Sequence, residues 1–89
     1  MSDIRIAKIE AALRAALAPT DLQVRDDSHL HAGHAGAQSG RGHFHLTMTS
    51  AAFAGLTPIA RHRAVYAALG TLMDTDIHAL SMSLRTPDQ

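Results

Sequence analysis

Imidazole is the reactive group of this 89-residue chain: it has seven histidines and no cysteine. Five of them, His29, His31, His34, His43 and His45, fall within seventeen residues, and His62 and His78 stand apart. Imidazole nitrogen suits transition ions such as zinc, copper, nickel and iron. A chain with no thiolate must leave any sulfur ligand to another molecule. His31 and His34 are three residues apart in a glycine-rich stretch. Joined by His78 they would form an imidazole site. Two or three histidines without a carboxylate are an incomplete set, which favours a site completed by a second molecule. Asp26 and Asp27 are nearby in sequence and are candidates for a third ligand or a supporting hydrogen bond.

Other combinations have less pull. His43 and His45 are expected to share the watered face of a strand, where an i, i+2 pair can bind a metal but solvated polar residues are the better reading. Arg61-His62-Arg63 is either a small basic patch for phosphates or a helix turn in which His62 packs inward and the arginines flank it; the second reading is the better one. No P-loop or nucleophile elbow is present, and nothing arranges a nucleophile, a base and an oxyanion donor. An enzyme is therefore not expected.

The elements that would position these residues follow from periodicity. Residues 3–17 read as a helix capped by Ser2 or Asp3, with Ile6, Ile9, Leu13, Ala16 and Leu17 on one side, Arg5, Lys8 and Arg14 in water, and an end at Ala18-Pro19. Leu22 and Val24 alternate with polar residues in a short strand over about 21–27. Residues 28–42, with four glycines and no usable period, read as a long loop. A second strand covers 43–50, with Phe44, Leu46 and Met48 facing one way. One apolar sheet face calls for helices on that face alone. Residues 51–55 form a turn or a helical turn. Thr57-Pro58 opens a helix to about Met73, with Ile59, His62, Val65, Tyr66, Leu69, Leu72 and Met73 as its stripe, broken by Asp74-Thr75-Asp76. The last strand spans about 77–85, and residues 86–89 are a tail. The order is αββαβ or αββααβ in one domain, 1–89.

This order bears on the site. Strands two and three are joined by a helix, so as neighbours they run parallel. Their N-terminal ends then lie side by side, bringing His78 to the end of the histidine-rich loop. His78 shares the apolar parity of Leu80, Met82 and Leu84. It is either a half-buried structural histidine or a ligand at the strand mouth.

Composition sets the limits. Aromatics are scarce (Phe44, Phe53 and Tyr66), so aliphatic residues and methionine must build the core. Formal net charge is zero, which gives no general attraction to nucleic acid or anionic lipid. No stretch is long enough to span a membrane and no secretory leader is visible, so a cytoplasmic protein is the default.

Asp26-Asp27-Ser28 with His31 and Gly33-His34, then His43-Phe44, Ser50-x-x-Phe53, Arg61-His62-Arg63-x-Val65-Tyr66 and His78-Ala79-Leu80 together resemble the BolA family over nearly the whole chain. The resemblance implies a small α+β domain related to the type II KH fold, with a three-stranded mixed sheet. It also implies a non-catalytic partner of a monothiol glutaredoxin, sharing a [2Fe–2S] cluster with it and with glutathione. His78 would be one ligand, and His31 the best match for the second, with His34 close by. Imidazole in place of thiolate raises a cluster's reduction potential, and being protonatable it makes a labile ligand. Such a cluster suits transfer or sensing, in iron–sulfur assembly, trafficking or iron-dependent regulation. The resemblance also admits a DNA-binding transcriptional regulator, which would draw on Arg61, Arg63 and Arg41. A third possibility is an autonomous histidine site for zinc, copper or nickel.

Overall fold

The computed structural model describes residues 2–27 and 42–88. Helix α1 (Ser2–Leu17) leads to strand β1 (Asp21–Asp26). Strand β2 (Gly42–Thr49) follows, then a single 3-10 turn (Ala51–Phe53), helix α2 (Pro58–Leu69), the short helix α3 (Leu72–Thr75) and strand β3 (Ile77–Arg85). The sheet order is β1-β2-β3, with β1 antiparallel and β3 parallel to the central strand. This is the mixed three-stranded sheet that the resemblance implied, with β2 and β3 parallel as the helical connection required of neighbours.

Register explains why the helices cover only one face. Leu22, Met48 and Leu84 lie in one row across the sheet, Val24, Leu46 and Met82 in the next. These side chains join Ile9 and Leu13 of α1, Val65 and Leu69 of α2, and Phe53 in one core. The alternate rows, Gln23-Thr47-Ser83 and Arg25-His45-Ser81, carry only polar side chains. On α1 the buried stripe runs through Ile6, Ile9, Ala12, Leu13 and Leu17; Ala16 is exposed.

Two connections are fixed by buried or capping hydroxyls. The Ser50 hydroxyl is fully buried, donates to the Leu17 carbonyl at 2.6 Å and accepts from the Ala52 amide at 3.1 Å. Thr57 caps α2 by accepting from the Ala60 amide, with Pro58 in the first turn as its fixed φ favours.

Helix α2 departs from the sequence expectation twice. It stops at Leu69, because Gly70 takes φ 54° and ψ −126°, a conformation that L side chains rarely adopt. Leu72 and Met73 then belong to α3, which also takes in Asp74 and Thr75. The helix is also turned relative to the expected stripe. Ile59 is 65% and Tyr66 41% exposed, and His62 lies in water. The inward row is Arg61, Ala64, Val65, Ala68 and Leu69, so His62 does not pack in the core.

Asp76 ties α1 to the start of β3. Its carboxylate accepts from the Thr75 hydroxyl at 2.5 Å and faces Lys8 Nζ at 3.4 Å and Arg5 Nε at 3.5 Å. The Thr75 hydrogen bond, with the Lys8 and Arg5 charges behind it, outweighs burial and holds this carboxyl below its ordinary 3.8. A value lowered by folding contributes stability that is complete above the unfolded-state range and is lost as pH falls through the folded value. Asp76→Asn should therefore lower the urea midpoint at pH 7, with the gap to wild type closing toward pH 3. A gap that is the same at both pH values would show that the charge contributes nothing.

Candidate metal centre

The N-terminal ends of β2 and β3 do meet, and the ladder is irregular there. Gly42 pairs with Ile77, but His43 pairs with Ala79, so His78 is an extra residue on β3. Such a bulge bends its strand and re-aims a side chain. Here it changes parity. Ile77 takes the core position and is fully buried, the core row resumes at Leu80, and His78 is turned out and exposed. His78 is thus exposed, and not half-buried as the parity of its strand suggested.

The imidazole that meets it is that of His43. The two ring centroids are 5.1 Å apart and the ring planes are inclined at 54°. His43 is only 9% exposed, so it is not the solvated residue that strand alternation led us to expect. Backbone hydrogen bonds clamp both sides of this corner. The Asp27 amide donates to the His43 carbonyl at 2.7 Å, and the Gly42 amide to the Asp76 carbonyl at 2.9 Å.

The remaining candidates are distributed as follows. His31, His34 and Arg41 lie outside the described residues. The segment that contains them joins Asp27 to Gly42, so both of its anchors are at this end of the sheet. The Asp27 carboxylate is engaged by the Arg25 guanidinium through two hydrogen bonds, at 2.7 and 3.1 Å, and His45 is half-buried on the polar face. Among the described residues no three His, Cys, Asp or Glu side chains come together as a metal site. At this corner the described residues offer two imidazoles, the kind of set that needs other donors.

Arg61 and Arg63 are at the opposite end of the sheet and differ from each other. The Arg61 guanidinium turns inward, donating to the carbonyls of Leu56 at 3.1 Å and Leu84 at 3.4 Å, whereas Arg63 is exposed. Arg14, in the last turn of α1, and Arg85, paired with Thr49, belong to the same end.

His43 is the residue whose place the sequence reading misjudged, setting it in water beside His45 and not against His78. The signal was available, since the topology that carries His78 to the mouth of β2 carries it to the first histidine of β2. Alternation pointed the other way because it takes no account of a bulge in the neighbouring strand.

The chain matches the family model described as BolA-like protein over residues 13–89. It is 40% identical over 88 residues to BolA-like protein 1 of Homo sapiens, a match covering 94% of this chain and 62% of that protein. The chain thus spans less than two thirds of the human relative's length. It is 38% identical over 79 residues to a protein of Escherichia coli (strain K12) named DNA-binding transcriptional regulator BolA, with 89% and 72% covered. Among solved structures, BolA1 from Arabidopsis thaliana superposes with a TM-score of 0.81 at 33% identity, covering 96% of this chain and 94% of that one. No described helix is long and apolar enough to cross a membrane.

Proposed function

This chain belongs to the BolA family, and on that footing we propose that it is a non-catalytic partner of a monothiol glutaredoxin, acting in the cytoplasm. The two proteins would share a [2Fe–2S] cluster used in iron–sulfur assembly, trafficking or iron-dependent regulation. The observation that carries this reading is the bulge, which turns His78 outward at the mouth of β2 and β3 while leaving the core row intact.

The residues present suit such a group. The chain has no thiolate to offer, so the glutaredoxin cysteine and glutathione would provide the sulfur. His78 would be one ligand, and His31 or His34 the second. When bound, the cluster supplies one-electron chemistry at a potential raised by imidazole ligation. The sheet holds the His78 side of the site still. His78 is on a sheet element whose neighbours are fixed by the Gly42–Asp76 and Asp27–His43 backbone bonds, and rigid elements position ligands better than loops do.

The test is a visible absorption and circular dichroism titration of cluster-loaded monothiol glutaredoxin and glutathione with this protein. A new spectrum saturating at one chain per glutaredoxin is expected, and an unchanged spectrum would sink the proposal.

A second reading has one observation in its favour beyond the name of the Escherichia coli relative. Arg14, Arg63 and Arg85 belong to the end of the sheet away from the histidines, where Asp21 and Asp88 only partly offset them. An unchanged spectrum together with DNA binding that weakens with salt, and that Arg63→Ala reduces, would favour a regulator acting directly on DNA.

A further inference from the structure

We propose that the outer edge of β3 is an interaction surface for a second copy of this chain. Two β3 strands pair antiparallel, edge to edge, about a two-fold axis at Met82, and join two three-stranded sheets into one continuous sheet.

The backbone supplies the first argument. β3 is nine residues long and ends the β1-β2-β3 order. Along such a strand, successive residues turn their backbone groups toward the neighbour and away from it by turns. The Arg85 carbonyl accepts from the Ser50 amide on the β2 side, and the Leu84 carbonyl accepts from the Arg61 guanidinium on the other. Leu80, Met82 and Leu84 therefore present their backbone groups to the open edge, which Arg61 reaches at its C-terminal end. Among the described residues, no backbone hydrogen bond is made to the outward groups of Leu80 and Met82.

An exposed edge is a template for another strand unless charge, proline or shortness protects it. β1, the opposite edge, is protected: it has six residues, of which Asp21, Arg25 and Asp26 are charged. β3 contains neither proline nor lysine, and its one charged residue, Arg85, is its last.

Self-complementarity selects the occupant. Pairing centred on Met82 sets Met82 of one copy opposite Met82 of the other, and Leu80 opposite Leu84. These are the residues whose backbone groups face outward, so each pair exchanges hydrogen bonds across the edge. On the helix-bearing face, the row Val24-Leu46-Met82 then runs on through Met82 and Leu46 of the second copy. The row Leu22-Met48-Leu84 runs on through the second copy's Leu80 and Phe44. Phe44, Leu46 and Met48 are already buried, whereas Leu80, Met82 and Leu84 are half-buried, and pairing covers them further. On the polar face Ser81 meets Ser83, and Arg85 falls opposite Ala79, so no like charges oppose each other. Every contact is made twice, as a two-fold axis requires. Neither the histidines nor the cluster enters this argument, so a failed cluster titration leaves it standing.

The experiment is sedimentation velocity of the full chain over a concentration series, with amide hydrogen exchange at the same concentrations. Monomer should give way to dimer as concentration rises, and exchange at Leu80, Met82 and Leu84 should slow in step. Ser81→Lys/Ser83→Lys sets lysine opposite lysine in the pair and should weaken association by at least about tenfold. Ser81→Lys/Ser83→Asp sets lysine opposite aspartate and should associate at least as tightly as wild type. Both variants change only the polar face, so the circular dichroism of the monomer should be that of wild type. A chain that stays monomeric throughout, with freely exchanging Leu80 and Met82 amides, would overturn the proposal and leave the edge to a strand of a different protein. A dimer that survives in Ser81→Lys/Ser83→Lys, or whose protected amides lie outside β3, would overturn it by placing the interface elsewhere. A Ser81→Lys/Ser83→Asp variant no tighter than Ser81→Lys/Ser83→Lys would overturn it too, since the two serines would then not face each other.

Discussion

His78→Ala should fold like the wild type and lose the shared-cluster spectrum entirely. Both halves of this result follow from the bulge. His78 is the extra residue of its strand, outside the row of paired partners, and its side chain is exposed. Substitutions of exposed side chains usually change stability by no more than about 0.5 kcal/mol. The far-UV circular dichroism spectrum and the urea midpoint should therefore be close to those of wild type. The same imidazole is a proposed cluster ligand, so the titration that gives a new visible spectrum with wild type should give none with the variant. His78→Cys makes the sharper control. It restores a ligand of the wrong kind, and the mixed spectrum should return with its reduction potential lowered toward that of an all-thiolate centre. A full-strength, unshifted spectrum in His78→Ala would remove this residue from the ligand set.

Phe53→Ala should do the reverse, sacrificing the fold and sparing the site. With only two phenylalanines in the chain and Tyr66 partly exposed, Phe53 is the largest fully buried side chain available to the core. Truncating a buried Phe costs about 3–5 kcal/mol, against a total stability of about 5–15 kcal/mol for a domain. A chain this small has little reserve, so the urea midpoint should fall by a large fraction of its value. The 3-10 turn that carries Phe53 follows the C-terminal end of β2, the end opposite His43. Whatever fraction of the variant remains folded should still produce the shared-cluster spectrum. A loss below about 1.5 kcal/mol would mean that the surrounding core collapses into the space with unusual ease.

These two residues also mark how far the sequence could be read. The alternation of Phe44, Leu46 and Met48 identified β2 and its buried face, and Thr57-Pro58 located the start of α2. The helical connection between strands two and three required them to be parallel if adjacent. These are local patterns or rules of connection. The features that went unseen depend on pairing with distant residues. The bulge at His78 exists because Gly42 bonds to Asp76 and His43 falls opposite Ala79, and nothing in Ile77-His78-Ala79 alone announces it. The phase of α2 was misjudged because its apolar residues surround the helix. Ile59 and Tyr66 suggested one stripe; Val65 and Leu69, flanked by Ala64 and Ala68, define another. With alanine common and aromatics few, no face stands out, and packing against the sheet decides. The Asp76 contacts with Arg5 and Lys8 join groups about seventy residues apart and have no sequence signature.

The parallel pairing of β2 and β3 also bears on how the molecule comes together. Each partner on the central strand waits for a residue more than thirty positions further along the chain. Contacts of such long range close a large loop before they return any energy, and domains dominated by them fold slowly. β1 can dock on β2 as an antiparallel neighbour well before then. Residues 77–85 therefore complete the sheet late, and only then do His43 and His78 come within reach of each other. A nascent or half-folded chain holds seven separate imidazoles, and the pair at the strand mouth is a property of the finished molecule.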